Sequence, residues 1–305
     1  MTKTASLTLR VPATTANLGP GFDCLGLALD MWNEITFELA GAEVRISIEG
    51  EGAGQLPEDG SNLILQAARR LYEHEKQPFP KGISLRCKNA IPTCSGLGSS
   101  ASAVIAGLCA ARKLLHSRIS DKDLLPLAAE FEGHADNAAA CLLGGLVIVM
   151  KAQNGWIVEK VPIQPLKAVI VLPEVKLSTQ EARAALPASI VRQEAVDNVG
   201  RAALLVHALR AGRKDLLKEA MQDHLHQPYR LKLIPGAEAA LQAAYDTGAY
   251  GAALSGAGPS LIAFGDENLE GIGKAMQGAF SNKGVQSMVY LTASSAAGIE
   301  YNPTE

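Results

Sequence analysis

The run Pro92-Thr93-Cys94-Ser95-Gly96-Leu97-Gly98-Ser99-Ser100-Ala101-Ser102 separates a strand-like stretch, Ile83–Cys87, from an alanine-rich segment of helical character reaching about Leu115. A glycine-serine turn that opens a helix presents free backbone N–H groups and the positive end of the helix dipole, which together bind phosphate. Gly96 and Gly98 would let backbone approach an anion closely, and the serines add hydroxyl donors or a magnesium ligand. No Gly-Lys-Ser/Thr follows, so this is not a Walker A loop, and the third glycine of a dinucleotide fingerprint is missing. A bare glycine-serine turn more often serves tight packing; the full eleven-residue string points to phosphate.

On the amino-terminal side, Ala5–Val11 reads as a strand and the polar stretch Pro12–Asp23 as a loop. Glu34–Leu39 and Glu43–Glu49, with Gly41 between them, look like an antiparallel pair, and Asn62 is placed to N-cap a helix through Tyr72. Beyond the run, Ser120 with Asp123 resembles a capping box for a helix that Pro126 should kink. Strands follow at Leu146–Met150, Trp156–Val161 and Ala168–Leu172, then helices at Thr179–Ala185, Glu194–Ala211, Leu216–Asp223 and Ala237–Thr247. Ala252–Leu254, Leu261–Phe264 and Ser287–Leu291 are strands enclosing a helix near Leu269–Asn282. The mixture implies an α+β chain of two domains, 1–165 and 166–305, meeting near Pro162–Lys167.

Composition narrows the classes. The chain has 305 residues, 48% apolar and 19% charged, enough apolar material for a sizeable core. With 28 basic and 31 acidic residues the net charge is −3, which leaves no field for a polyanion and disfavours nucleic acid as a partner. The five cysteines form no CxxC pair, which fits scattered thiols in a reducing compartment. No apolar core of a signal peptide precedes Arg10, and the longest apolar stretch, Ala138–Met150, is 13 residues, too short to span a membrane. A cytoplasmic location with no membrane partner is expected.

The central run resembles the P-x-x-x-G-L-G-S-S-[AG] signature of the GHMP small-molecule kinases. Two segments bracket it as that family expects. One is Val11-Pro12-Ala13-Thr14-Thr15-Ala16-Asn17-Leu18-Gly19-Pro20-Gly21-Phe22-Asp23-Cys24-Leu25-Gly26-Leu27-Ala28-Leu29; the other is Leu254-Ser255-Gly256-Ala257-Gly258-Pro259-Ser260. The opening segment is similar to that of the homoserine kinases within the family. The resemblance implies a two-domain fold with a left-handed βαβ crossover in the N-terminal ATP-binding domain and a ferredoxin-like C-terminal domain. It implies ATP and Mg2+ as cofactors, L-homoserine as the acceptor and threonine biosynthesis as the setting; a homodimer is expected.

By the same resemblance, the ATP phosphates fall to Pro92, Ser95, Gly96, Leu97, Gly98, Ser99, Ser100, Ala101 and Ser102, with Asn62 near the base. Ser100 and Glu130 become the magnesium ligands. Glu130, His134 and Asn137 share one face if the helix continues past Gly133. Glu132-Gly133-His134-Ala135-Asp136-Asn137 is similar to the family's Glu-Gly-His-Pro-Asp-Asn, with Ala135 replacing proline. Asn137 stands where mevalonate-kinase relatives carry an aspartate base. An amide cannot accept the proton, so positioning and electrostatics remain, and Asp136 and Asp23 are the nearest candidates for a base.

Asp23 suits a substrate ammonium, with Asn17 orienting the chain and His134 nearby. Arg183 in Leu177-Ser178-Thr179-Gln180-Glu181-Ala182-Arg183 and Arg230 in His226-Gln227-Pro228-Tyr229-Arg230 match the carboxylate end. Thr179 and the Gly256 loop complete the set. Mevalonate offers no ammonium for Asp23, which disfavours an isoprenoid or sugar-alcohol kinase. A decarboxylase of the same descent would carry similar motifs, as would a small-molecule sensor that kept the pocket and lost turnover. The complete phosphate loop argues against the sensor.

Overall fold

The computed structural model describes residues 6–153 and 155–302. Its first elements are β1 (Ser6–Asn17), β2 (Gly21–Leu39), β3 (Val44–Gly50), α1 (Leu63–His74), β4 (Ile83–Asn89), α2 (Ser99–Leu114), α3 (Asp121–Glu132) and α4 (Asp136–Leu143). Next come β5 (Leu146–Ala152), β6 (Gly155–Val161), β7 (Lys167–Pro173), α5 (Thr179–Ala184), α6 (Arg192–Ala211), α7 (Leu217–Ala220), α8 (Gln227–Arg230) and α9 (Ala237–Asp246). The chain closes with β8 (Gly251–Leu254), β9 (Leu261–Phe264), α10 (Leu269–Ser281), β10 (Ser287–Ala293) and β11 (Glu300–Asn302).

Strands β11, β1, β2, β4 and β3 lie side by side in that order, and β5 and β6 extend from β2. The second sheet runs β10, β7, β9, β8 and is antiparallel throughout. Its first strand lies inside, flanked by its fourth and third, which is the ferredoxin-like arrangement the resemblance implied.

The run Ala-Val-Ile-Val of β7 explains how the sheets are joined. Successive side chains of a strand point to opposite faces. Val169 and Val171 pack beneath α9 and α10 with Ala240, Ile272, Met276 and Phe280. Ala168 and Ile170 face the other way, into a core shared with Leu25, Leu27 and Leu146 of the first sheet and Leu205, Leu209 and Leu217 of the second half. A third core holds α1, α2 and α3 against the first sheet through Leu9, Ile35, Phe37, Leu65, Ile105 and Leu108. The shared core fixes both sheets around one cleft.

Two local expectations are corrected. Residues 34–39 and 43–49 are not a pair: β4 lies between them, antiparallel to β2 and parallel to β3. Burial gives the reason. Ile83, Leu85 and Cys87 of β4 are buried, as an inner strand demands, whereas β3 alternates half-buried Val44, Ile46 and Ile48 with exposed Arg45, Ser47 and Glu49, the pattern of an edge. Nor is Pro12–Asp23 a loop. β1 runs on to Asn17 because Thr14 and Thr15, although polar, pair with Ala28 and Leu27 in the ladder. Pro12 is tolerated beside a register shift, and the loop shrinks to Leu18-Gly19-Pro20.

Ala5 of the expected first strand lies outside the described residues. Helix α3 continues through Pro126. The last strand, β11, pairs with β1, and Tyr301 accepts a hydrogen bond from Arg112. Among the described residues no helix is long and apolar enough to cross a membrane.

Candidate active site

Where the halves meet, a cavity of about 560 Å³ opens between the loop before α2, the segment linking α3 to α4, and the loops carrying Asp23, Arg183 and Arg230. That volume suits a small-molecule site.

The phosphate end is built by α2. Gly98 caps it at φ 71° and provides no side-chain cap. The first helical bond runs from the Ser102 N–H to the Gly98 carbonyl, so the N–H groups of Ser99, Ser100 and Ala101 have no helical acceptor. Ser95 braces the turn, donating from its hydroxyl to the Pro92 carbonyl and accepting from the Leu97 N–H. A Cβ on Gly98 would collide with the Thr14 hydroxyl, and one on Gly96 with the Ser255 carbonyl. The Gly256 loop, a turn between β8 and β9, thus backs the phosphate loop from the second domain. Cys94, Ser95, Gly96, Gly98, Ser99 and Ser100 line the cleft. Pro92, Leu97, Ala101 and Ser102 are part of the loop's buried support and do not line it. Asn62 does not line it either: it accepts from the Ile64 N–H as the N-cap of α1 and donates to the Pro57 carbonyl.

Glu130, expected beside magnesium, does not line the cleft. Glu130 sits on the outer face of α3, half exposed, in a two-pronged pair with Arg70 at 2.7 and 3.0 Å. Glu132 lines the cleft instead, beside Ser100. Helix α3 stops at Glu132 because Gly133 adopts φ 80°, and α4 starts afresh at Asp136, so Glu130, His134 and Asn137 share no helical face. Burial pushes the Glu132 carboxyl above its usual range, only partly opposed by His134 and the Ser100 hydroxyl. Its Oε2 is buried with no hydrogen-bond partner among the described residues.

Asp136, His134 and Asn137 form one network. Asp136 Oδ1 accepts from His134 Nδ1 at 2.6 Å and from the Asn137 N–H at 2.7 Å. Burial works against the His134 imidazolium, but Asp136 and Glu132 outweigh it and hold the ring's pKa above the ordinary value. Asn137 Oδ1 accepts from the Thr14 hydroxyl at 2.8 Å. With both carbonyl and amide engaged, Asn137 is a fixed dipole on the cleft wall.

At the far end, Arg183 forks onto Asp23 at 2.7 and 3.0 Å. The expected ammonium and carboxylate partners therefore neutralise each other across the pocket. Asn17 donates to the Gly256 carbonyl and accepts from the Asp23 N–H, which aims Asp23 rather than leaving the amide free. Thr179 opens α5 and lines the cleft. Arg230 is only 1% exposed, and donates to the carbonyls of Ala182 and Gly256. Burial, then the Arg183 charge, lowers its pKa to about 10, so it stays cationic at neutral pH.

Phe22 and His226 join the site although no motif singles them out. Their side chains lie behind the two arginines: Phe22 has the Arg183 and Arg230 guanidinium carbons 5.6 and 5.1 Å from its ring centre. Phe22 adjoins the Asp23 motif and His226 opens the Arg230 motif, which is the only signal that could have drawn them in. Burial chiefly lowers the His226 pKa, with Arg230 adding to it and Asp223, the Gly19 carbonyl and Asp23 opposing. A depressed histidine contributes stability above its unfolded value of about 6.5 that is lost as pH falls toward the folded value. The melting-temperature gap between wild type and His226→Asn should therefore narrow between about pH 8 and about pH 5; a constant gap would show that this ring does not titrate on unfolding.

Comparison with known proteins agrees with this geometry. Residues 62–145 match the model of the GHMP kinases N terminal domain and residues 205–282 that of the GHMP kinases C terminal. The chain is 42% identical over 292 residues to a homoserine kinase of Microchaete diplosiphon, covering 95% of each chain. It is 41% identical over 292 residues to one from Desulfitobacterium hafniense, covering 95% of this chain and 98% of that one. The crystal structure of homoserine kinase from Cytophaga hutchinsonii superposes with a TM-score of 0.87 at 36% identity, covering 99% of both chains. The chain belongs to the GHMP kinase family, among its homoserine kinases.

Proposed function

We propose that this protein transfers the γ-phosphoryl group of ATP to the side-chain hydroxyl of L-homoserine, giving O-phospho-L-homoserine and ADP for threonine biosynthesis. One observation carries the reading. A single cleft has a phosphate loop at one end and, at the other, a carboxylate with two guanidinium groups, the complement of a zwitterionic amino acid.

Binding begins by exchanging partners. The substrate ammonium takes Asp23, and its carboxylate takes Arg183 and Arg230, replacing a charge pair that is only partly buried. The side-chain hydroxyl then reaches toward the phosphate loop, where the N–H groups of Ser99, Ser100 and Ala101 receive the phosphate oxygens. Asp136 already accepts from His134 and Asn137, and Asn137 is an amide. Alignment in the cleft and stabilisation of charge therefore carry the reaction, and the proton leaves late to phosphate or water.

Magnesium fits the residues present. Its usual sites use one or two protein oxygens plus phosphate oxygens and water. Ser100 and Glu132 supply that set, and the orphaned Oε2 of Glu132 is the atom that calls for a cation. When bound, Mg2+ would neutralise charge on the β- and γ-phosphates.

Arg183→Met should raise the homoserine KM at least about tenfold while the ATP KM stays within about threefold, since the lost fork holds only the amino-acid end. Equal rises in both constants would contradict the assignment. We also propose that 1–165 and 166–305 act as the ATP-binding and C-terminal domains of a cytoplasmic homodimer. Exposed Met150, Ile157, Met288 and Leu291 favour such an assembly, and sedimentation tests it.

A further inference from the structure

His226 is fully buried, yet neither metal nor substrate explains it. Its two ring nitrogens are committed to different partners. Nε2 lies 2.8 Å from the Gly19 carbonyl oxygen, which can only accept, so Nε2 carries the hydrogen. Nδ1 lies 3.3 Å from Nη1 of Arg230, which can only donate, so Nδ1 is bare. The neutral Nε2–H tautomer is the one form that satisfies both. The backbone around it is pinned as well: Asp223 Oδ2 accepts from the N–H groups of His226 and Gln227 at 2.8 and 2.6 Å.

The ring of Phe22 stacks on His226 at 5.1 Å with an interplanar angle of 21°. It also lies within cation–π range of Arg183 and Arg230. Gly19 and Phe22 come from the turn and strand that deliver Asp23, whereas His226 and Arg230 come from the second half of the chain. One histidine therefore ties the loop that carries the ammonium partner to the arginine that carries the carboxylate charge.

We propose that His226, backed by Phe22, is a positioning residue that sets the register between Asp23 and Arg230 and so fixes the spacing at which the enzyme recognises an α-amino carboxylate. It acts through Arg230 and touches no reacting atom. The inference rests on the homoserine reading given above.

Two isosteres divide its two hydrogen bonds. The Asn amide oxygen stands near the Nδ1 position and can still accept from Arg230, whereas the Gln amide nitrogen reaches the Nε2 position and can donate only to Gly19. His226→Gln should raise the homoserine KM by about tenfold or more, the size of effect left by one unmade hydrogen bond on a buried guanidinium. His226→Asn, which keeps the Arg230 bond but cuts the tie to Gly19, should also raise it several-fold, and the ATP KM should stay unchanged in both. Phe22→Leu, at a half-buried position, should raise the homoserine KM several-fold, again without touching ATP.

An unchanged homoserine KM in either histidine variant, parallel rises in both KM values, or an unchanged homoserine KM in Phe22→Leu would each overturn the proposal while leaving the homoserine reading intact. A wild-type enzyme that does not phosphorylate homoserine at all would overturn the reading, and the proposal with it. If the histidine variants do not fold, the Phe22→Leu comparison decides alone.

Discussion

Glu132→Ala should lower kcat by about a hundredfold or more, and Glu130→Ala by less than about twofold. The contrast is sharp because the residues are two positions apart on one helix and differ in environment. Glu132 puts a buried carboxylate oxygen, unpartnered among the described residues, beside Ser100, where neutralising phosphate charge is worth several kcal/mol. Glu130 holds an exposed pair with Arg70, and such pairs contribute on the order of 0.5 kcal/mol to stability and nothing to the cleft. Steady-state turnover at saturating homoserine and magnesium checks both. A large loss in the Glu130 variant with little in the Glu132 variant would reverse the metal assignment.

Gly98→Ala should reduce kcat/KM for ATP by about a hundredfold or more. The position combines a left-handed φ of 71° with no room for a Cβ, which would meet the Thr14 hydroxyl that also holds Asn137. Relief requires moving either the start of α2 or the strand behind it, and both shape the phosphate cradle. Gly54→Ala serves as the control, since Gly54 has φ 70° but open space around it. It should cost about 1 kcal/mol of stability from backbone strain and leave the ATP KM unchanged. If the two variants lose ATP affinity equally, strain rather than the cradle is responsible.

The phosphate loop could be read from residues because its chemistry is local: a glycine-serine turn before a helix exposes N–H groups wherever it occurs. Likewise β7 shows in the run Ala168–Leu172, since a strand packed on both faces is apolar throughout. Asp23, Arg183 and Arg230 were identifiable only by family resemblance, because an isolated charged residue looks the same on any surface. Glu130 and Glu132 could not be separated without the helix end. Residues i and i+2 point to roughly opposite sides of a helix, so everything turned on which face met the cleft and on Gly133 ending α3. The position of β4 between β2 and β3 is a matter of order in the sheet, which local periodicity does not encode. Phe22 and His226 escaped because their roles arise from contacts across about two hundred residues of chain.

The decisive measurement is Mg2+-dependent conversion of ATP to ADP by the purified protein with L-homoserine, mevalonate, galactose and L-serine offered separately, with the phosphorylated product identified. Turnover stimulated chiefly by L-homoserine, with the phosphate on its side-chain oxygen, is the expected result. Stimulation chiefly by mevalonate or a sugar would leave the phosphate loop in place and contradict the Asp23–arginine pocket, and ATP binding without turnover on any acceptor would contradict the kinase reading itself.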